Sequence, residues 1–182
     1  YTSADVTIDG QTASNVGVRL RGKYGSFRDL NGKPKFKIDF NQFENQDFYG
    51  LDTLTLNNGV VDCSYLREPI AYRVFKEMGI PTPRVGFSTV SVNGAPYGLY
   101  VTLEAQDDKW LDLNYEDSSG NLYDGKYLYF WAGWGYDYQL LDFKYSLYDL
   151  YQLEEGTSVK NADLENVTNV IQSNVGANYY EA

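Results

Sequence analysis

Hydrophobic and polar positions alternate through the first part of the chain and then change period once. Val16, Val18 and Leu20 interleave with Gly17, Arg19 and Arg21; Phe36, Ile38 and Phe40 interleave with Lys35, Lys37 and Asp39. A period of two is that of a strand with one dry face and one wet face. Asp5 to Ile8 predicts a strand before these, closed by the turn signal Asp9-Gly10. Leu54 and Leu56, alternating with Thr53 and Thr55, predict a short strand that ends at Asn57-Asn58-Gly59. Gly22 to Ser26 reads as a loop, and Asn31-Gly32 as a turn.

The period then lengthens. Leu66, Ile70, Val74 and Met78 recur every four residues, with Ala71 and Phe75 beside them, which is one apolar stripe of a helix. Asp62 or Ser64 can cap its start, and Gly79 followed by Pro81 and Pro83 ends it. Pro69 must therefore fall within the first turn, where its missing N–H costs nothing. Phe87 to Val92 and Tyr97 to Leu103 flank Asn93-Gly94, a hairpin signal. A short helix is expected from about Asp107 to Leu113, and the aromatic segment from Leu122 to Leu153 mixes strand and helix signals. Asn161 can cap a last helix that carries Leu164, Val167, Ile171 and Val175. Strands, a helix, a hairpin and then helical pieces make an α+β arrangement.

Composition narrows the chemistry. Fifteen Lys and Arg against 25 Asp and Glu leave a net charge of -10, unsuited to a nucleic-acid backbone or an anionic bilayer as main partner. The absence of His excludes Ser-His-Asp and Cys-His catalysis and His-based zinc sites, and Cys63 alone cannot form an internal disulfide. No apolar run reaches the length of about 18 residues needed to span a membrane. With 18 Tyr, 9 Phe and 3 Trp the chain is rich in rings, which serve half-buried strands or sugar-stacking surfaces alike. The sequence opens on Tyr1 with no basic or apolar leader, and is expected to be a processed piece.

Five stretches occur in an order that carries more than any of them singly. They are Gly17-Val18-Arg19-Leu20-Arg21-Gly22; Lys35-Phe36-Lys37-Ile38-Asp39-Phe40; Phe48-Tyr49-Gly50-Leu51 through Leu56-Asn57-Asn58; Leu66-Arg67-Glu68 through Phe75-Lys76-Glu77-Met78-Gly79-Ile80-Pro81-Thr82-Pro83-Arg84; and Val92-Asn93-Gly94 with Tyr97-Gly98-Leu99-Tyr100 and Glu104. This series resembles the CotH family of spore-coat and secreted bacterial kinases. The resemblance implies a kinase-like small lobe, an antiparallel sheet plus one main helix, over residues 1–104. Residues 105–182 would be the beginning of a helical, aromatic-rich second lobe, which the resemblance implies is truncated. It also implies ATP with Mg or Mn as cofactor, transfer of phosphate to Ser of coat or surface proteins, a secreted or cell- or spore-surface location, and attachment to a cellulosome-type assembly or other modules of a larger chain.

Phosphoryl transfer asks for a cation at the phosphates, a carboxylate to hold that cation, and a hinge edge for the base. Carried over by position, Lys37 would bind phosphate, Glu68 would pair with it, and Glu104 would lie at the adenine edge. Gly22, Lys23 and Ser26 would lie over the phosphates, where glycine permits close backbone approach. Lys37 and Glu68 are expected within about 4 Å of each other, the reach of an ion pair, or within one side-chain rotation of it, in one cleft with Glu104 and the glycine loop. The family's Trp-Asp-x-Asp element has no counterpart before Ala182, so no catalytic or metal-binding residue is assigned. Asp142-Phe143-Lys144 has Lys where a kinase metal loop needs Gly. The competing expectation is a non-catalytic module of an extracellular assembly that binds protein, or carbohydrate through Trp110, Trp131 and Trp134.

Overall fold

Among the described residues the elements run, in chain order, β1 (Thr2–Ile8), β2 (Gln11–Arg21), β3 (Lys35–Asp39), β4 (Thr53–Asn57), α1 (Arg67–Glu77), β5 (Val85–Val92), β6 (Ala95–Glu104), α2 (Asp108–Asn114), β7 (Leu122–Gly125), β8 (Tyr151–Glu155) and α3 (Ala162–Ser173). The computed structural model describes residues 1–22, 25–125 and 151–173. They fall into two compact units, Tyr1–Tyr115 and Glu116–Ala182. The arrangement is α+β, as the periodicity predicts.

The first unit is built on a six-stranded antiparallel sheet of order β1-β2-β3-β4-β6-β5. Its register carries the alternation across strands: Val18 pairs with Ile38 and Ile38 with Leu54, while Leu20 pairs with Phe36 and Phe36 with Leu56. Phe36, Ile38, Leu54 and Leu56, with Val16, Phe40, Phe48 and Tyr100, form the buried core, and Val18 and Leu20 pack against it half-buried. Val6 and Ile8 of β1 and Val90 and Val92 of β5 pack on that same core from opposite ends of the strand order. The sheet is thus curled into a half-barrel around its apolar face. Asp9-Gly10 and Asn93-Gly94 both turn with two positive φ angles, 49° and 83°, then 50° and 81°, the two-residue hairpin geometry their sequences call for.

Helix α1 ends as its sequence directs. The Ile80 N–H donates to the Phe75 carbonyl and the Gly79 N–H to Lys76, both at 3.0 Å, around Gly79 at φ 77°. At its start Asp62 accepts from the Arg67 N–H at 2.9 Å, and Pro69 is the third helical residue. The apolar stripe of α1 is not buried, however. Leu66, Ile70, Val74 and Met78 are all about half exposed or more, and no residue of the helix is buried. A polar tether, the Asn57 carboxamide on the Glu68 carboxylate, joins α1 to the sheet. In α2, Asp107 caps the helix by accepting from the Trp110 N–H at 3.1 Å. Trp110 itself is buried against Tyr115, which removes it as a sugar-stacking surface. Trp131 and Trp134 lie outside the described residues.

In the second unit, β7 and β8 pair antiparallel, and Asp163 in the first turn of α3 fastens them to the helix. Its carboxylate accepts from Asn121 at 2.9 Å and from the hydroxyls of Tyr123 and Ser158. Asn161, the residue before the helix, donates its carboxamide to the Tyr151 carbonyl at 2.8 Å. Burial pushes the Asp163 carboxyl up, but the three side-chain donors outweigh it and hold the group at about 2. A carboxylate depressed in the folded state stabilises above its unfolded value of about 4 and loses that contribution as pH falls toward 2. Acid unfolding between pH 4 and 2, followed by circular dichroism, is therefore expected to be shallower in Asp163→Asn than in the parent chain. Equal slopes would remove Asp163 as the group responsible.

Candidate functional site: a basic face on the curled sheet

The polar face of the sheet gathers cations in an acidic protein. β2 and β3 pair Arg19 with Lys37 and Arg21 with Lys35, so four cations stand in two directly opposed pairs. Like charges facing across a ladder repel. The Arg21 guanidinium donates to the Thr55 hydroxyl at 3.3 Å, and the Arg19 guanidinium lies 5.2 Å over the Tyr1 ring. Among the described residues no carboxylate lies within ion-pair distance of any of the four; Arg67, Arg73, Arg84 and Lys109 make the ion pairs there. Burial lowers the pKa of Lys35, and Arg21 lowers it further while Glu68 opposes. Burial likewise lowers Lys37, helped by Arg19 and Arg21 and opposed by Asp39 and Asp107. Such a face holds its charge at a cost that a bound anion would relieve.

The expected Lys37–Glu68 ion pair is not formed. The Asn57 carboxamide donates to both oxygens of the Glu68 carboxylate, at 2.8 and 2.6 Å. The β3–β4 register explains the change of partner: Phe36 pairs with Leu56, which sets Lys35, not Lys37, beside Asn57 and thus nearer the helix acid. Lys35 and Lys37 share the face, and Glu68 acts on Lys35 as an opposite charge from beyond contact distance. Burial and the same carboxylate raise the pKa of Tyr72, one turn along α1.

Glu104 is also placed differently from expectation. It pairs with Leu54, which sets its side chain on the apolar face of the sheet, opposite Lys37. There its carboxylate accepts from the Arg84 N–H at 2.9 Å and from the Arg84 guanidinium at 2.7 Å. It lines a groove of about 470 Å³ with Lys76, Ile80, Pro81, Arg84 and Leu113, and neither Lys37 nor Glu68 borders that groove.

The glycine loop is fastened from beneath. Gly22 has φ 136°, and a Cβ there would come within 2.9 Å of the Phe27 Cα, so the close turn demands glycine. The Asn58 carboxamide donates to the carbonyls of Ser26 at 3.1 Å and Lys33 at 2.7 Å. Lys23 lies outside the described residues. Asn57 and Asn58, consecutive at the end of β4, therefore hold α1 and the loop respectively. Sequence reading passed over Arg19, Arg21 and Asn57 as site residues. The signal available was the matched spacing of Arg19-x-Arg21 and Lys35-x-Lys37, two basic alternations that fall on one face once the strands pair.

Comparison with known proteins finds relatives and a family. The chain is 31% identical over 77 residues to the "Inner spore coat protein H-like protein" of Bacillus subtilis (strain 168), a match covering 42% of this chain and 24% of that protein. It is 29% identical over 101 residues to the "Inner spore coat protein H" of the same organism, covering 56% of this chain and 26% of that protein. The chain thus matches about a quarter of the length of these relatives. The sequence profile described as "CotH kinase protein" matches residues 18–181, nearly the whole chain, and the protein belongs to that family.

Proposed function

We propose that the chain is a kinase-like module that binds the phosphates of ATP on the basic sheet face, in service of phosphate transfer to Ser of coat or surface proteins. The observation that carries this reading is the set of four cations, Arg19, Arg21, Lys35 and Lys37, with no carboxylate partner among the described residues of a chain of net charge -10. Two arginines offer planar forks for phosphate oxygens, and two half-buried lysines supply point charges. The relatives' names speak of the spore coat, and a secreted or surface location is proposed for this chain by extension. No described helix is long and apolar enough to cross a membrane.

ATP would supply the transferable phosphoryl group. A divalent metal belongs to the proposed activity, but the described residues do not fit one: no group of three or more His, Cys, Asp or Glu side chains gathers among them. What they fit is the anionic end of the nucleotide.

Calorimetric titration of the chain with ATP, with and without magnesium, tests the reading. Saturable binding is expected, weakening as salt rises because the face is open to solvent. The double reversal Arg19→Glu/Lys37→Glu should weaken it about tenfold or more, since two attractive charges become repulsive ones. No ATP binding at millimolar concentration, or equal binding by the reversed variant, would sink the proposal.

A further inference from the structure

We propose that Asn57 is a positioning residue: it takes up the Glu68 carboxylate and so leaves Lys35 and Lys37 open to an anionic ligand. The inference rests on the reading of the basic face as a phosphate site. Asn57 is buried at the end of β4, and its carboxamide spans both carboxylate oxygens. Glu68 needs such a partner, because α1 buries no residue fully and only Glu68, Pro69 and Tyr72 of it are half-buried.

The alternative partner is close at hand. Lys35 is the β3 residue set beside Asn57 by the register, and it already feels Glu68 as an opposite charge. If Glu68 swung onto Lys35, the pair would neutralise one of the four cations and compete with a phosphate for the same ammonium. A neutral amide avoids this: it satisfies the carboxylate by charge-assisted hydrogen bonds while adding no charge of its own to the face. Asn57 thereby keeps an acid next to the basic face without letting it quench that face.

The test uses the whole chain, inorganic tripolyphosphate as probe, and the Lys35 side-chain titration followed by NMR. Asn57→Ala is expected to weaken tripolyphosphate binding about three- to fivefold, the worth of a partly exposed ion pair, and to raise the Lys35 titration midpoint as Glu68 engages it. Adding Glu68→Gln should return both readouts to those of the parent. A merely structural Asn57 would weaken binding with or without the Glu68 change and leave the Lys35 midpoint unmoved, which overturns the proposal. If Asn57→Ala does not fold, Glu68→Gln alone decides: binding equal to or tighter than the parent supports the inference, and weaker binding overturns it. Failure of the parent chain to bind tripolyphosphate would count against the phosphate site, while the Lys35 midpoint in Asn57→Ala would still decide whether Asn57 holds Glu68 off the lysine.

Discussion

Tyr100→Ala is expected to cost about 3–5 kcal/mol, the range for truncating a fully buried large aromatic residue, and Tyr100→Phe to cost nothing or to stabilise by about 1 kcal/mol. Tyr100 has no exposed surface and joins β6 to the core made by β2, β3 and β4. Its ring lies 6.2 Å from that of Phe36 and 4.8 Å beneath the Lys33 ammonium, so alanine would remove core volume, a ring contact and a cation–π contact together. The hydroxyl behaves differently. It is buried without a hydrogen-bond partner among the described residues, and burial, with Tyr97 and Tyr65 nearby, pushes its pKa up to about 12. Phenylalanine keeps the packing and deletes the orphaned group. Urea midpoints of the two variants against the parent measure both effects. A loss above about 1.5 kcal/mol in Tyr100→Phe, the usual worth of a made hydrogen bond, would mean that the hydroxyl is satisfied after all.

The sequence made the local half of this fold legible. β3 and the Asn93-Gly94 hairpin follow from alternation and turn residues that act within a few positions, and the end of α1 follows from Gly79. What failed was non-local. β1 begins at Thr2 rather than Asp5 because Thr2 pairs with Val18, and an irregularity between Ala4 and Val6 breaks the alternation that would have announced it. The apolar stripe of α1 was visible, but no pattern along a single helix says whether anything covers it.

The candidate site divides the same way. That a basic strand and the acid of α1 share one side of the sheet was readable in outline. Which lysine stands nearer Glu68 depends on the β3–β4 register, and a shift of two residues would exchange Lys35 for Lys37 without changing either strand's pattern. Which face Glu104 takes depends on the β4–β6 pairing, between strands separated by a helix and a further strand. Both questions are settled by contacts distant in sequence.

Asn58 gives the second large effect, through polar groups rather than volume. It is fully buried, and its carboxamide is the donor to two carbonyls, those of Ser26 and Lys33. Asn58→Ala removes both hydrogen bonds and is expected to cost about 1–3 kcal/mol, at roughly 0.5–1.5 kcal/mol for each. Asn58→Asp, nearly the same shape, should be worse at neutral pH, because an ionised oxygen would face the carbonyls where an N–H now donates. Its penalty carries a sign that alanine's does not. Burial among acceptors would raise the introduced carboxyl's pKa in the folded state, so the folded chain would bind a proton that the unfolded chain releases near pH 4. Stability of Asn58→Asp, relative to Asn58→Ala, should therefore improve as pH falls below neutrality and the protonated group regains a donor. Urea unfolding of both variants at pH 7 and 5 would read this directly. A constant difference between them at the two pH values would show that position 58 is not held against the loop carbonyls.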